Sequence, residues 1–219
     1  MKIVNASAEV ILPYHDWNEA RSAMYRMIER AGRTCYKSED KITDESAAKF
    51  IKQIVKRQHE AMLEHASLTV RFVVDRGISH ELVRHRLASF AQESTRYCNY
   101  SSGKFDHELT FIRPFFLDAC PPEVEETWNQ TMQNCENAYL FMLKEGCSPQ
   151  EARSVLPNSL KTEVIMTANM REWRHFLRLR AEGLTGAPHP QMLEVCIGLL
   201  KTLKQNLPEI FEDIGVWGE

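Results

Sequence analysis

No stretch of this 219-residue sequence approaches eighteen uninterrupted apolar residues, so no membrane-spanning helix is expected. Positive charge is not in excess either: 27 lysines and arginines stand against 30 aspartates and glutamates, a formal net charge of -3. That balance argues against wholesale nucleic-acid binding, and any anionic ligand must be held by a local cluster of cations. Cysteine occurs six times, at Cys35, Cys98, Cys120, Cys135, Cys147 and Cys196, but never as a Cys-x-x-Cys pair. Met1-Lys2-Ile3-Val4 also lacks the apolar core of an export signal, so the expectation is a cytoplasmic protein with reduced thiols.

The common phosphate-binding glycine patterns are missing. Neither Gly-x-Gly-x-x-Gly nor Gly-x4-Gly-Lys-Ser/Thr occurs, and no Gly-x-Ser-x-Gly elbow surrounds Ser94. His-Glu-x-x-His is missing too: His80-Glu81-Leu82-Val83-Arg84-His85 is one residue too long. On one helix its imidazoles diverge by about 140°, and His59 and His65 are misspaced as well, so no metal site is expected. A Cys–His nucleophile stays open, although nothing singles out one of the six cysteines.

What is present reads as a single α+β domain over residues 1–219. Residues 2–12 and 67–75 have strand character; 109–112 and 160–168 read as further strands. Asp16 can cap a helix ending at Gly32, and Thr43 or Asp44 opens a second to about His59. Gly77 breaks the 67–75 strand, and Ser79 can cap a short helix to Phe90. Pro121-Pro122, with Glu123, Glu125 and Glu126 in the first turns, starts a long helix to Lys144, stopped by Gly146. Ser148-Pro149-Gln150-Glu151 begins a further turn, and 170–182 and 189–206 read as helices.

Arginines stand at apolar positions. On a helix over 79–90, Ile78, Leu82, Val83, Leu87 and Phe90 share one side, with Arg86 in their midst and Arg84 roughly 160° away. A guanidinium there needs a carboxylate or a phosphate, because desolvating an unpaired charge is costly. Arg180 lies within the stripe Met170, Trp173, Leu177 and Ala181, while Arg153 precedes Val155-Leu156. Arg171, Arg174 and Arg178 form a separate face, for which solvation is the plain expectation.

Arg84-His85-Arg86, seven residues, then Ser94-Thr95-Arg96 resembles the Arg-His-Arg-x7-Ser-x-Arg signature of the flavin-dependent thymidylate synthases. The likeness extends through Arg33–Tyr36, Leu63–Ser67, Ala152–Pro157, Asn169–Arg171, Trp173–Phe176 and Arg180. It implies a mixed or antiparallel sheet flanked by long helices, and a homotetramer whose sites are shared between subunits. The implied activity is methylation of dUMP to dTMP by methylenetetrahydrofolate, with FAD reduced by NADPH. By the same resemblance dUMP lies against Gln92, Glu93, Ser94, Thr95 and Arg96, with Arg153 and Arg180. Glu81, Leu82, Val83 and Arg84 of a neighbouring subunit complete that pocket. FAD contacts His65, Ser67, Arg84, His85, Arg86, Gln92, Asn169, Met170, Arg171 and His175. Ala91, where Asn or Ser is usual, and Glu93, where an apolar residue is frequent, depart from the commoner pattern, and Glu81 and Gln92 occupy variable positions.

Among these residues Arg180 is expected to stabilise charge on the activated uracil, and Arg96 and Arg153 to hold the phosphate. Ser94 is read as a hydrogen-bonding group and not as a nucleophile. Two other readings stand beside this one: an RNA- or nucleotide-binding protein using Arg171, Arg174 and Arg178, and a flavoprotein of the same fold without methylation.

Overall fold

The computed structural model describes residues 1–218. Its elements follow the expected α+β order. The first strand region is two pieces, β1 (Lys2–Val4) and β2 (Ser7–Ile11). Helix α1 (Trp17–Cys35) begins where expected, with the Asp16 carboxylate accepting from Glu19 N at 2.9 Å. It does not stop at Gly32. That glycine is buried inside the helix because a Cβ there would lie 2.3 Å from the Phe50 ring. Helix α2 (Ser46–Lys56) follows and packs on α1.

Strand β3 (Ser67–Asp75) buries Leu68, Val70, Phe72 and Val74 in alternation, as its sequence pattern demands. The next segment differs from expectation. Helix α3 covers only Arg76–Leu82, and its cap is Asp75, which accepts from Ile78 N at 2.7 Å; Gly77 lies within it. Chain reversal follows, and Ala88–Gln92 form strand β4. The apolar residues at 87–90 therefore follow a strand, and the helical projection of Arg86 does not apply.

Strand β5 (Thr110–Ile112) pairs in parallel with β1, Ile3 opposite Phe111. Helix α4 (Pro122–Lys144) is halted at Gly146, whose φ of +93° suits glycine. A short helix, α5 (Pro149–Ala152), leads through a 3-10 turn to β6 (Lys161–Asn169), which buries Thr162, Val164, Met166 and Ala168. Helix α6 (Met170–Leu177), capped by Asn169, continues into a π-helical turn, Arg178–Glu182. Helices α7 (Pro190–Asn206) and α8 (Pro208–Phe211) complete the chain.

The main sheet has the order β2-β3-β6-β4. Thr69 faces Thr167, whereas Arg76 N donates to Leu160 O, so partner numbers run oppositely and β3 and β6 are antiparallel. The chain divides into two compact units. The first gathers Met1–Ser7, Phe72–Arg84 and Ala91–Val164; the second gathers Ala8–Arg71, His85–Phe90 and the chain from Ile165. In the first, Tyr100, Leu109, Phe111, Met132, Tyr139, Ala152 and Leu160 form the core, and Glu136 accepts from Leu109 N at 2.8 Å. In the second, α1, α2 and α6–α8 bury a core that includes Ile28, Ile51, Trp173, Phe176 and Leu199.

Gly183 ends the π-helical turn at φ +77°, and a Cβ there would lie 2.3 Å from the Trp217 ring. Gly183→Ala is expected to destabilise the chain by about 1–3 kcal/mol through strain and overlap, seen as a lower urea midpoint. An unchanged midpoint would show that Trp217 moves aside freely.

Candidate functional site

In the first unit, the residues after β4 form a tight turn. Gln92 donates through Nε2 to Ser79 Oγ at 2.9 Å and to Thr162 Oγ1 at 3.3 Å. Glu93 is held on both carboxylate oxygens: the Tyr100 hydroxyl donates to Oε1 and Lys161 Nζ to Oε2, each at 3.0 Å. Burial alone would lower the Lys161 ammonium's pKa, but Glu163 and Glu93 hold it above the ordinary lysine value. Burial, then the Glu93 carboxylate, pushes the Tyr100 phenol up. Glu93 is thus the clamp that ties the turn to β6.

Beyond that clamp, Ser94 Oγ accepts from Arg96 N at 3.3 Å, and Ser94 O accepts from the Tyr97 and Cys98 amides. Among the described residues no imidazole or carboxylate is hydrogen-bonded to Ser94 Oγ, which suits a hydrogen-bonding role. Burial, then Glu93, raises the nearby Cys98 thiol pKa, so it stays protonated at neutral pH and is a poor nucleophile. Arg96 is exposed, donates through Nε to Gln150 Oε1 at 3.2 Å and lies over the Tyr97 ring. Arg153, one helical turn beyond Gln150, is exposed and not embedded among Val155 and Leu156. Arg84 is exposed as well, and Arg84, Arg96 and Arg153 form no ion pair with a carboxylate among the described residues. Glu81 is half-buried, Leu82 fully buried, Val83 exposed and Thr95 buried.

In the second unit, a cleft of about 430 Å³ is walled by Ser67, Arg86, Asn169, Glu64, Thr167 and the 87–89 backbone region. Ser67 opens β3 and Asn169 closes β6, the strand facing β3, so the antiparallel register brings both to one end. Asn169 Oδ1 accepts from Glu172 N at 2.9 Å as the α6 cap, which leaves the amide NH2 as a donor. Arg86 stands exposed at the rim, opposite to the burial expected of it, with no carboxylate paired to it among the described residues. A guanidinium, a hydroxyl and an amide beside small Ala88 and Ala168 make a wall suited to an anionic, hydrogen-bonding dinucleotide. Sequence reasoning overlooked Thr167 as a lining residue, although alternation along β6 places it on the same face as Asn169.

Other residues assigned to the flavin lie elsewhere. His65 is exposed two residues before Ser67, and Met170 is wholly buried in the core, its amide donating to Ala66 O. Arg171 pairs with Glu64 at 2.6 Å, and His175 is exposed. The buried member of the Arg84–Arg86 triplet is His85, only 6% exposed. Its Nδ1 lies 3.3 Å from Glu172 Oε1, its Nε2 accepts from Arg180 Nε at 3.2 Å, and its ring meets Phe176 edge-on. Burial, then the charges of Arg180 and His175, pushes the His85 pKa down to about 4. Arg180 is half-buried, carried on the π-helical turn. Such a turn inserts a residue into the helical register and frequently marks a functional site.

The face formed by Arg171, Arg174 and Arg178 is not a free basic surface. Arg174 is 0% exposed and bonds Asp213 bidentately at 2.7 and 2.8 Å, Glu60 at 2.9 Å, and Ile210 O. Arg178 shares Asp213 and Glu60.

The chain matches the family model described as thymidylate synthase complementing protein over residues 20–209. It is 33% identical over 214 residues to the flavin-dependent thymidylate synthase of Corynebacterium aurimucosum, covering 92% of this chain and 85% of that one. To the Geobacter sulfurreducens flavin-dependent thymidylate synthase it is 32% identical over 192 residues, covering 84% and 79%. The fold resembles that of the UMP/dUMP methylase PolB from Streptomyces cacaoi bound with 5-Br dUMP, with a TM-score of 0.77, 21% identity and 97% and 96% coverage.

Proposed function

Because the chain belongs to the thymidylate synthase complementing protein family, we propose that it is a flavin-dependent thymidylate synthase. It converts dUMP to dTMP with methylenetetrahydrofolate as carbon donor and NADPH as reductant. Bound FAD supplies the electrons that turn the transferred methylene into a methyl group. Residues 1–219 act together as one such domain, assembled as a homotetramer with sites shared between subunits. It works in the cytoplasm, a reading supported by its six cysteines, which are all unpaired thiols; no helix among the described residues is long and apolar enough to cross a membrane.

The observation that carries the substrate reading is the set of exposed guanidiniums, Arg84, Arg96 and Arg153, left without carboxylate partners among the described residues of a chain of net charge -3. Such groups suit a nucleotide phosphate. Gln92 to Arg96 form the dUMP turn, with Glu93 holding its shape from behind; Glu81 to Arg84 of a neighbouring subunit meet the same nucleotide. Arg180 donates to the uracil edge. Ser67, Arg86 and Asn169 hold FAD, with His65, Arg171 and His175 at its margins. The RNA-binding reading loses its support, since Arg171, Arg174 and Arg178 are each matched by carboxylates.

Tritium release from C5-labelled dUMP, with methylenetetrahydrofolate and NADPH, is expected to require FAD and to accompany dTMP formation. A folded, flavin-loaded chain that releases no tritium would be a flavoprotein without methylation instead. Arg96→Ala and Arg153→Ala are each expected to raise the KM for dUMP about tenfold or more, the scale of a lost hydrogen bond to a charged group, while flavin absorbance is retained. Flavin loss with an unchanged KM would reverse the assignment.

A further inference from the structure

His85 lies between two groups of opposite demand. On one side Arg180 Nε points an N–H at its Nε2; on the other, Glu172 presents a carboxylate oxygen to Nδ1. A guanidinium donates hydrogen bonds and accepts none, so the Nε2 it meets must carry a lone pair. The single imidazole proton is then on Nδ1, donating to Glu172. An imidazolium would set two N–H groups and two positive charges against each other at 3.2 Å. Glu172 is itself fixed, because Asn169 accepts from its backbone amide, and Phe176 stops the His85 ring from turning.

We infer that His85 and Glu172 are positioning residues for the methylation reaction: Glu172 sets the His85 tautomer, and His85 Nε2 holds the Arg180 guanidinium in its working orientation. The inference rests on the role given to Arg180 above, and it assigns a task to the buried histidine of the Arg-His-Arg triplet. It also explains why a histidine, and not a third arginine, stands between Arg84 and Arg86: that position must accept from a half-buried cation. The groups facing the ring are Arg180, Glu172 and His175; burial, then the charges of Arg180 and His175, outweigh the Glu172 carboxylate and keep the ring neutral down to about pH 4. The unfolded chain takes up this proton near the ordinary value of 6.5, the folded chain only near 4. Stability contributed by neutral His85 is therefore present above about pH 6.5 and is lost as pH falls from there toward 4.

The test uses 15N-labelled, flavin-loaded protein, with the His85 signals assigned by their loss in His85→Gln. The expected result is an unprotonated Nε2 and a protonated Nδ1 at pH 7, and an upward shift of the His85 pKa in Arg180→Ala. A proton on Nε2, or an imidazolium at pH 7, overturns the inference, and so does a pKa indifferent to Arg180→Ala. In turnover, His85→Phe keeps ring volume but has no acceptor and should lower kcat about tenfold to a hundredfold, with a smaller change in the KM for dUMP. His85→Gln places an oxygen where Nε2 stood and should recover most of that loss. Equal impairment of the two folded variants, or normal kcat in His85→Phe, overturns it. Should the wild-type chain form no dTMP, the reading of its function falls and the methylation role with it, while the nitrogen spectra still decide, without substrate, whether Glu172 sets the tautomer and Nε2 accepts from Arg180.

Discussion

Arg180→Ala is expected to lower kcat for dTMP formation about a hundredfold or more, the scale for losing one preorganised donor in a water-poor site. The reason lies in where the guanidinium sits. Arg180 is half-buried, and its neighbours Leu177 and Ala181, with Trp173 and Phe176 of α6, are wholly buried, so part of its stem is shielded from water. A positive group in such surroundings stabilises negative charge on a pyrimidine ring more strongly than one in bulk solvent. The His85 contact fixes its orientation before substrate arrives, so little reorganisation is needed during reaction. Flavin absorbance and melting temperature should change little, which separates lost chemistry from lost folding. Arg180→Lys should recover only part of the rate, because an ammonium lacks the planar fork that can bond His85 and a ring edge together. Turnover within a fewfold of wild type in a folded Arg180→Ala enzyme would remove Arg180 from the reaction.

Much of the fold was legible because local signals and tertiary demands agreed. Ser67–Asp75 alternates, is rich in β-branched residues, and is a strand over the expected span; Asp16, Pro122 and Gly146 begin or end helices as their chemistry predicts. The errors came where two periods fit the same residues. Ile78 and Leu82 belong to a helix, but Leu87 and Phe90 lie at and after a reversal, so one 3.6-residue projection across 78–90 joined two elements. Gly32 has the local look of a helix stop, but its use is long-range: the Phe50 ring occupies the space of the missing Cβ. The arginines repeat that lesson. Their abundance in a net-negative chain pointed to anions, but which of them were committed to carboxylates depended on partners far off in sequence, such as Glu64, Glu60 and Asp213. Arg86 and Arg153 are exposed, while Arg174, expected on a solvated face, is the most enclosed cation among the described residues.

That reversal carries the second large effect. Arg174→Ala is expected to destabilise the chain by at most about 3–5 kcal/mol, the range for breaking a buried pair from one side, since Arg174 is 0% and Glu60 14% exposed while Asp213 is 45% exposed. The substitution removes a cation bonded through all three guanidinium nitrogens and leaves Glu60, Asp213 and the Ile210 carbonyl facing a cavity. Arg178 also reaches Asp213, at 3.2 Å, and Glu60, at 3.5 Å, so part of the deficit is covered and the loss should fall short of the upper figure. Burial tends to raise the Asp213 pKa, but Arg174 and then Arg178 hold it below the ordinary aspartate value. A depressed carboxylate contributes stability above its unfolded pKa near 3.8 and loses it as pH falls through the lower folded value. The wild type therefore loses this increment only in strong acid. In Arg174→Ala the stranded carboxylates are relieved by protonation, so the gap between the two proteins should narrow as pH drops toward that range. Arg171→Ala is the matched control: its pair with Glu64 is about half exposed on both sides, 54% and 45%, and should be worth about 1 kcal/mol or less. Urea unfolding of both variants at neutral and acid pH measures the contrast. Equal losses from the two substitutions, or a gap that widens in acid, would mean that the Arg174 cluster is held by packing of the arginine stem and not by its charge.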